Sequence, residues 1–125
     1  TVTGVQTCAL PICTLEGLPQ QVEVLSGAVP ETVVVHELGV EYVADLRHGQ
    51  KTGLFLDQRE NREAAARYAH GRVLDCFSYH GGFALKLAPK ATETTAFDVS
   101  EDAVAHIRAN AAKNGVSLVI VVFIK

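Results

Sequence analysis

Val73-Leu74-Asp75-Cys76-Phe77-Ser78-Tyr79-His80-Gly81-Gly82-Phe83 sets the reading of the whole chain. Val73-Leu74 opens an apolar run, and the spacing predicts a buried strand over Arg72–Phe77, followed by a loop at Ser78–Gly82. Gly82–Leu87 then reads as a helix cut short by Pro89, which lacks an N–H and fixes φ. Working outward, Glu93–Phe97 is a second strand that ends at Asp98. Ser100 is placed to cap the next helix, and Glu101 and Asp102 suit its first turn, where the helix dipole favours negative charge. That helix presents Val104, Ile107 and Ala111 at i, i+3 and i+7 and stops at Asn114-Gly115. Strand, loop, helix, strand, helix is the opening of a parallel α/β sheet, with both post-strand loops at the same carboxyl edge.

The flanks are of a different kind. Residues 14–32 carry the breakers Gly17, Pro19, Gly27 and Pro30 and read as a linker with one short strand at Val22–Leu25. Thr32–His36 and Glu41–Leu46 read as strands joined at Leu38-Gly39. Arg47–Gln50 is a second turn, and Thr52–Leu56 a third strand. These make a small antiparallel β unit. Asn61–His70, with three consecutive alanines, reads as a helix closed by Gly71. At the far end, the apolar run Leu118–Ile124 reads as a fully buried parallel strand, with a frame slip or assembly end as the alternative reading. It is too short to cross a membrane as a helix, which takes about 20 apolar residues, and if exposed it is an aggregation hazard.

Composition narrows the class. The chain has 125 residues, 48% of them apolar, which supports one domain or part of one and excludes global disorder. Lys plus Arg number 11 against 14 Asp plus Glu, a net charge of −3, so this segment alone lacks the basic character of a nucleic-acid binder. Three cysteines, Cys8, Cys13 and Cys76, without C-x-x-C spacing suit a reduced, cytoplasmic protein. None of the five histidines (His36, His48, His70, His80 and His106) has another at i+3 or i+4, so zinc has no support and surface or edge positions are expected for all five. The chain contains no Met, which marks it as a fragment. Thr1–Ile12, TVTGVQTCALPI, carries no charge, and Val2–Ile12 matches the conceptual translation of a common short-read sequencing adapter. Residues 1–13 are therefore read as non-native, which leaves Cys76 as the one secure cysteine.

The chemistry sits in the loop after the first parallel strand. Gly81-Gly82 lets a ligand approach the backbone, and the helix that follows points N–H groups toward a carboxylate or phosphate. Sixteen residues after Gly82, Asp98 is placed to accept hydrogen bonds from both hydroxyls of a ribose. G-x-G-x-x-G is absent, which disfavours NAD, and no G-K-[ST] marks a P-loop. S-adenosylmethionine fits better, with its ribose on Asp98 and its carboxylate near Gly81–Gly82. A tight β–α turn with an ordinary Asp is the competing reading, and spacing does not separate the two. Gly49–Arg62, GQKTGLFLDQRENR, reads on physical grounds as a hairpin strand followed by a helix capped by Asp57 or Asn61.

Taken together, Gly49–Arg62 resembles the G-Q-K-T-G-x-F-L-D-Q-R-x-N-R run of bacterial large-subunit ribosomal RNA methyltransferases of class I, the S-adenosylmethionine-dependent type. Val73–Phe83 resembles that family's V-L-D-x-F-S-Y-x-G-G-F cofactor loop, and the 5-methylcytosine group is the best match. The resemblance runs from about Leu15 to Gly115. It implies an α/β fold, with the small antiparallel β unit followed by the first half of a Rossmann-like class I methyltransferase sheet. It assigns 14–62 to a linker and hairpin region and 63–125 to the N-terminal half of the cofactor domain. It also implies S-adenosylmethionine as cofactor, with Asp75, Ser78, Tyr79, Gly81 and Gly82 in the loop, Asp98 on the ribose and Gln58 at the pocket's border. His80 stands where the family usually has Thr, and Cys76 is read as a small buried apolar residue.

The family's catalytic Cys and the Asp-Pro-Pro before it lie beyond Gly115 and are not found here, and its RNA-binding domain would precede Leu15. The resemblance thus implies ribosomal RNA as partner of the longer protein, with no membrane or metal, and a segment that is inactive alone. A non-catalytic cofactor- or nucleotide-binding module, or an artefactual fragment, are the other readings. Without its later strands such a piece has an open edge and an uncovered apolar face, so marginal stability is expected.

Overall fold

The computed structural model describes residues 4–7, 15–17, 22–49 and 53–123. Contacts divide it into two units: Thr1–Val33 with Ala44–Phe55, and Val34–Val43 with Leu56–Lys125.

In the first unit, β1 (Gly4–Thr7) pairs antiparallel with β2 (Val22–Ser26), Thr7 opposite Val22 and Val5 opposite Val24. The expected strand at Val22–Leu25 is present. Its partner lies in the stretch read as adapter. Asp45 organises the turn that follows: its Oδ1 accepts from the N–H groups of Arg47 and His48, each at 2.8 Å. The expected strand over Thr52–Leu56 does not form; residues 50–52 lie outside the described residues, and 53–54 bend. Gly53 is the reason. Its φ is +79°, and a Cβ there would stand 2.5 Å from the Asp45 carbonyl oxygen, so the chain turns where a strand would extend.

β3 (Thr32–Glu37) and β4 (Val40–Asp45) form a two-stranded hairpin whose base lies in the first unit and whose turn end lies in the second. Leu38 and Gly39 both take positive φ, the geometry a two-residue hairpin turn requires. On β4, Val40, Tyr42 and Ala44 alternate inward.

In the second unit, a 3-10 turn at Leu56–Gln58 leads into α1 (Arg59–Ala66). This helix starts earlier and ends earlier than the expected Asn61–His70. Neither Asp57 nor Asn61 caps it; Gln58 is the N-cap residue and makes no side-chain cap bond. The unit continues through β5 (Arg72–Cys76), α2 (Gly82–Leu87), β6 (Glu93–Asp98), α3 (Glu101–Lys113) and β7 (Val119–Val122). The three strands form a parallel sheet in the order β5-β6-β7, with Asp75 opposite Ala96 and Asp98 opposite Val122. Ser100 caps α3 as expected, accepting from the Ala103 N–H at 3.3 Å. The mixed α/β class and the half-sheet expected from the sequence are what the chain forms.

The core joins Ala84 of α2, Ala96 of β6, and Val104 and Ile107 of α3, with Leu118, Ile120 and Val122 packed against them. Both helices therefore lie on one face of the sheet. The opposite face is open among the described residues, and this corrects three expectations. β5 is not a buried strand: Leu74 is 64% exposed. Cys76, two residues along on the same side, is exposed rather than buried. β7 is shorter than Leu118–Ile124 and alternates between exposed and half-buried positions. No helix among the described residues is long and apolar enough to cross a membrane.

Candidate functional site

β5 and β6 end side by side, and the loop between β5 and α2 folds back over their carboxyl ends. Three of its residues have positive φ: Phe77 at 59°, Tyr79 at 53° and Gly81 at 85°. Two of these are aromatic, and such residues hold that conformation only when surrounding bonds fix it. Those bonds are present. The Ser78 N–H donates to the Phe97 carbonyl (3.0 Å) and the Gly81 N–H to the Ser78 carbonyl (2.9 Å).

Two carboxylates hold the frame. Asp75, at the end of β5, accepts from the Ser78 hydroxyl at 2.6 Å and from the Ala84 N–H at 2.9 Å, both on Oδ2. Burial lifts its carboxyl above the ordinary range, and the neighbouring Asp98 adds to this, while the Ser78 and Ala84 bonds oppose it. Asp98, at the end of β6, receives the Tyr79 N–H on Oδ2 (2.9 Å) and the Ser100 N–H on Oδ1 (3.0 Å). Each Asp98 oxygen thus gives one lone pair to the backbone and keeps acceptor capacity for a pair of hydroxyls.

Of the residues singled out in the sequence, Asp75, Ser78, Tyr79, Gly81, Gly82 and Asp98 are brought together here. Gln58 is not joined to them by hydrogen bonds. Its amide donates to Asp57 (3.3 Å) and accepts from Asn61 (2.9 Å), within the start of α1.

The glycine pair has an internal reason as well. Gly81 needs its left-handed φ. A Cβ on Gly82 would meet His80 Cε1 at 2.7 Å and Arg62 Nη1 at 3.1 Å. The second glycine therefore makes room for the protein's own side chains, where the sequence suggested room for a ligand. The α2 N-terminus is likewise partly satisfied from within, since Asp75 takes the Ala84 N–H.

Beneath the loop lie residues that sequence reasoning missed. His80, expected at the surface, is 4% exposed. Its ring packs 5.3 Å from that of Tyr42 and 5.1 Å from that of Tyr79. Burial first, and the Arg62 guanidinium second, pull its imidazole down to about 4. Burial pushes the Tyr42 hydroxyl up to about 12. Asn110 is fully buried; its side chain donates to the His80 carbonyl (2.9 Å) and accepts from the Val43 N–H (2.9 Å). The sequence held one signal for it: an Asn three residues past Ile107 on the apolar stripe of α3. Among the described residues, no group of three or more His, Cys, Asp or Glu could hold a metal ion.

A family model described as S-adenosylmethionine-dependent methyltransferase matches residues 17–125. Ribosomal RNA large subunit methyltransferase I of Aeromonas salmonicida (strain A449) is 44% identical over 106 residues, covering 82% of this chain and 27% of that protein. The protein of the same name from Aeromonas hydrophila is 47% identical over 104 residues, covering 80% and 26%. A crystal structure of the SAM-dependent methyltransferase from Agrobacterium tumefaciens superimposes with a TM-score of 0.68 at 25% identity, covering 77% of this chain and 32% of that one. The chain spans about a quarter of the length of the curated relatives it matches.

Proposed function

This chain belongs to the family of S-adenosylmethionine-dependent methyltransferases, and on that premise we propose that it holds part of the cofactor site of an enzyme that methylates large-subunit ribosomal RNA, at C5 of cytosine. The observation that carries the reading is the pair of carboxylates at adjacent strand ends, Asp75 and Asp98, tied to the loop between them. Asp98 keeps one acceptor position on each oxygen for the two ribose hydroxyls. Asp75, Ser78, Tyr79, Gly81 and Gly82 shape the turn that receives the amino-acid end of S-adenosylmethionine, and Gln58 borders the pocket. When bound, the cofactor supplies an electrophilic methyl on a sulfonium; the chain's part is to bind and orient it.

C5 methylation also takes a thiolate that adds at C6 of the base, so that C5 can attack the methyl and later shed its proton as the thiolate leaves. Cys76 lies on the open sheet face and does not serve this purpose. The thiolate belongs to the longer protein, as do the RNA contacts and a cytoplasmic location. The domain boundaries we favour are 14–62 for the hairpin region and 63–125 for the cofactor half-domain. Residues 1–13 precede the family match, and sequencing the source DNA across them tests their adapter origin.

The binding test is calorimetric titration of the chain with S-adenosylhomocysteine. Asp98→Asn keeps an acceptor for one backbone N–H and removes the charge, which should weaken binding about 10- to 100-fold. Equal affinity for both proteins would overturn the assignment of Asp98. For the substrate, transfer of labelled methyl by the longer gene product to large-subunit ribosomal RNA should yield 5-methylcytidine in the hydrolysate; label at another nucleoside rules out the C5 assignment.

A further inference from the structure

The last residue of the GQKTGLFLDQRENR run, Arg62, is buried together with Glu37. Its Nε and Nη2 donate to the two Glu37 oxygens at 2.8 and 2.9 Å, a bidentate pair. Replacing such a buried pair with apolar side chains of similar volume is often neutral or stabilising, so stability alone is a weak reason to have one. A fixed geometry is what the pair supplies. The Arg62 Nη1 and Cδ lie 3.1 and 3.3 Å from the position a Gly82 Cβ would take. The Tyr42 ring sits 5.9 Å from the Arg62 Cζ, and its hydroxyl donates to the Gly82 carbonyl at 3.3 Å. Gly82 is thus hemmed in at its Cα by Arg62 and His80 and held at its carbonyl by Tyr42.

We propose that Arg62, held by Glu37, is a positioning residue that sets the Gly81–Gly82 turn through its contact with Gly82 and thereby tunes cofactor affinity. This rests on the reading of the Ser78–Gly82 loop as the cofactor loop. A site set to within a fraction of an ångström needs neighbours whose own positions are locked, and the bidentate pair locks Arg62 in this way.

The test is the double variant Glu37→Met with Arg62→Met, which removes both charges of the pair together. Three quantities are measured on the chain: the melting temperature, the affinity for S-adenosylhomocysteine, and amide hydrogen exchange at Gly81–Leu85. The melting temperature should be held, exchange at Gly81–Leu85 should quicken, and the dissociation constant should rise at least about tenfold. Wild-type affinity together with unchanged exchange overturns the proposal. If the wild-type chain does not bind S-adenosylhomocysteine, the cofactor reading fails instead, and the exchange rates alone then decide whether Arg62 sets the turn. If the double variant does not fold, Arg62→Lys keeps the charge and gives up the bidentate fork on Glu37: faster exchange at Gly81–Leu85 supports the proposal and unchanged exchange refutes it.

Discussion

Acidification from about pH 7.5 to about pH 5 should destabilise the second unit through one side chain, His80. Among the described residues neither of its two buried ring nitrogens has a hydrogen-bond partner; Arg62, Glu37 and His106 bear on it electrostatically, and the Tyr42 and Tyr79 rings pack against it. Folded, it protonates at about 4; unfolded, at its ordinary value of 6.5. Between these values the unfolded chain binds a proton that the folded chain refuses. Stability is therefore complete above the unfolded value and falls as pH drops toward the folded one. The slope is about 1.4 kcal/mol per pH unit, so roughly 2 kcal/mol is lost by about pH 5. Asp75 works in the opposite sense, because its raised carboxyl binds a proton more readily in the folded state. Urea titrations at several pH values, on wild type and His80→Phe, isolate the imidazole. The phenyl ring keeps the packing between Tyr42 and Tyr79 and does not titrate, and all other groups cancel in the difference. The two stability profiles should diverge steadily below about pH 6.5. Parallel profiles would refute the account of His80 as a neutral buried ring.

Asn110→Ala strips partners from the Val43 N–H and the His80 carbonyl, and should cost about 2–4 kcal/mol in a urea titration; a loss below about 1 kcal/mol would mean those groups find other partners. Leu74→Lys alters a side chain on the open sheet face, so it should reduce self-association seen by light scattering while moving stability by less than about 0.5 kcal/mol. Unchanged scattering would place the sticky surface elsewhere.

Much of the second unit was legible because its elements are local. The alternation from β5 through β7, the Ser100 cap and the stop at Asn114-Gly115 each depend on residues within a few positions of one another, where propensity and capping decide. That the loops after β5 and β6 share one edge followed from the same alternation, since successive parallel strands end together, whereas Asp75 was singled out only by the family resemblance. The errors arose where a distant or missing neighbour decides. Thr52–Leu56 has strand-forming residues, yet the Asp45 carbonyl dictates a turn at Gly53. Cys76 and Leu74 are as apolar as core residues, and what covers their face of the sheet cannot be read from the strand itself. His80 is buried because Tyr42, 38 residues earlier, packs on it. Arg62 looked like one more polar residue on α1, because its partner Glu37 stands 25 residues away.

The clasp between the hairpin and α3 has a consequence for the order of events in folding. Asn114 accepts from the Glu41 N–H and donates to the Glu41 carbonyl, at 2.8 and 2.7 Å, and Asn110 accepts from the Val43 N–H, so these bonds close spans of 73 and 67 residues. Everything from β5 to β7 joins neighbours in sequence. Loop closure over the longer spans costs more entropy and brings no return until α3 exists to be gripped. The parallel sheet and its helices should therefore condense first, with the hairpin docking late. Damage to the clasp would then leave the refolding rate nearly untouched and show as faster unfolding. In a cell, the hairpin would be the part that opens first and offers itself to proteases.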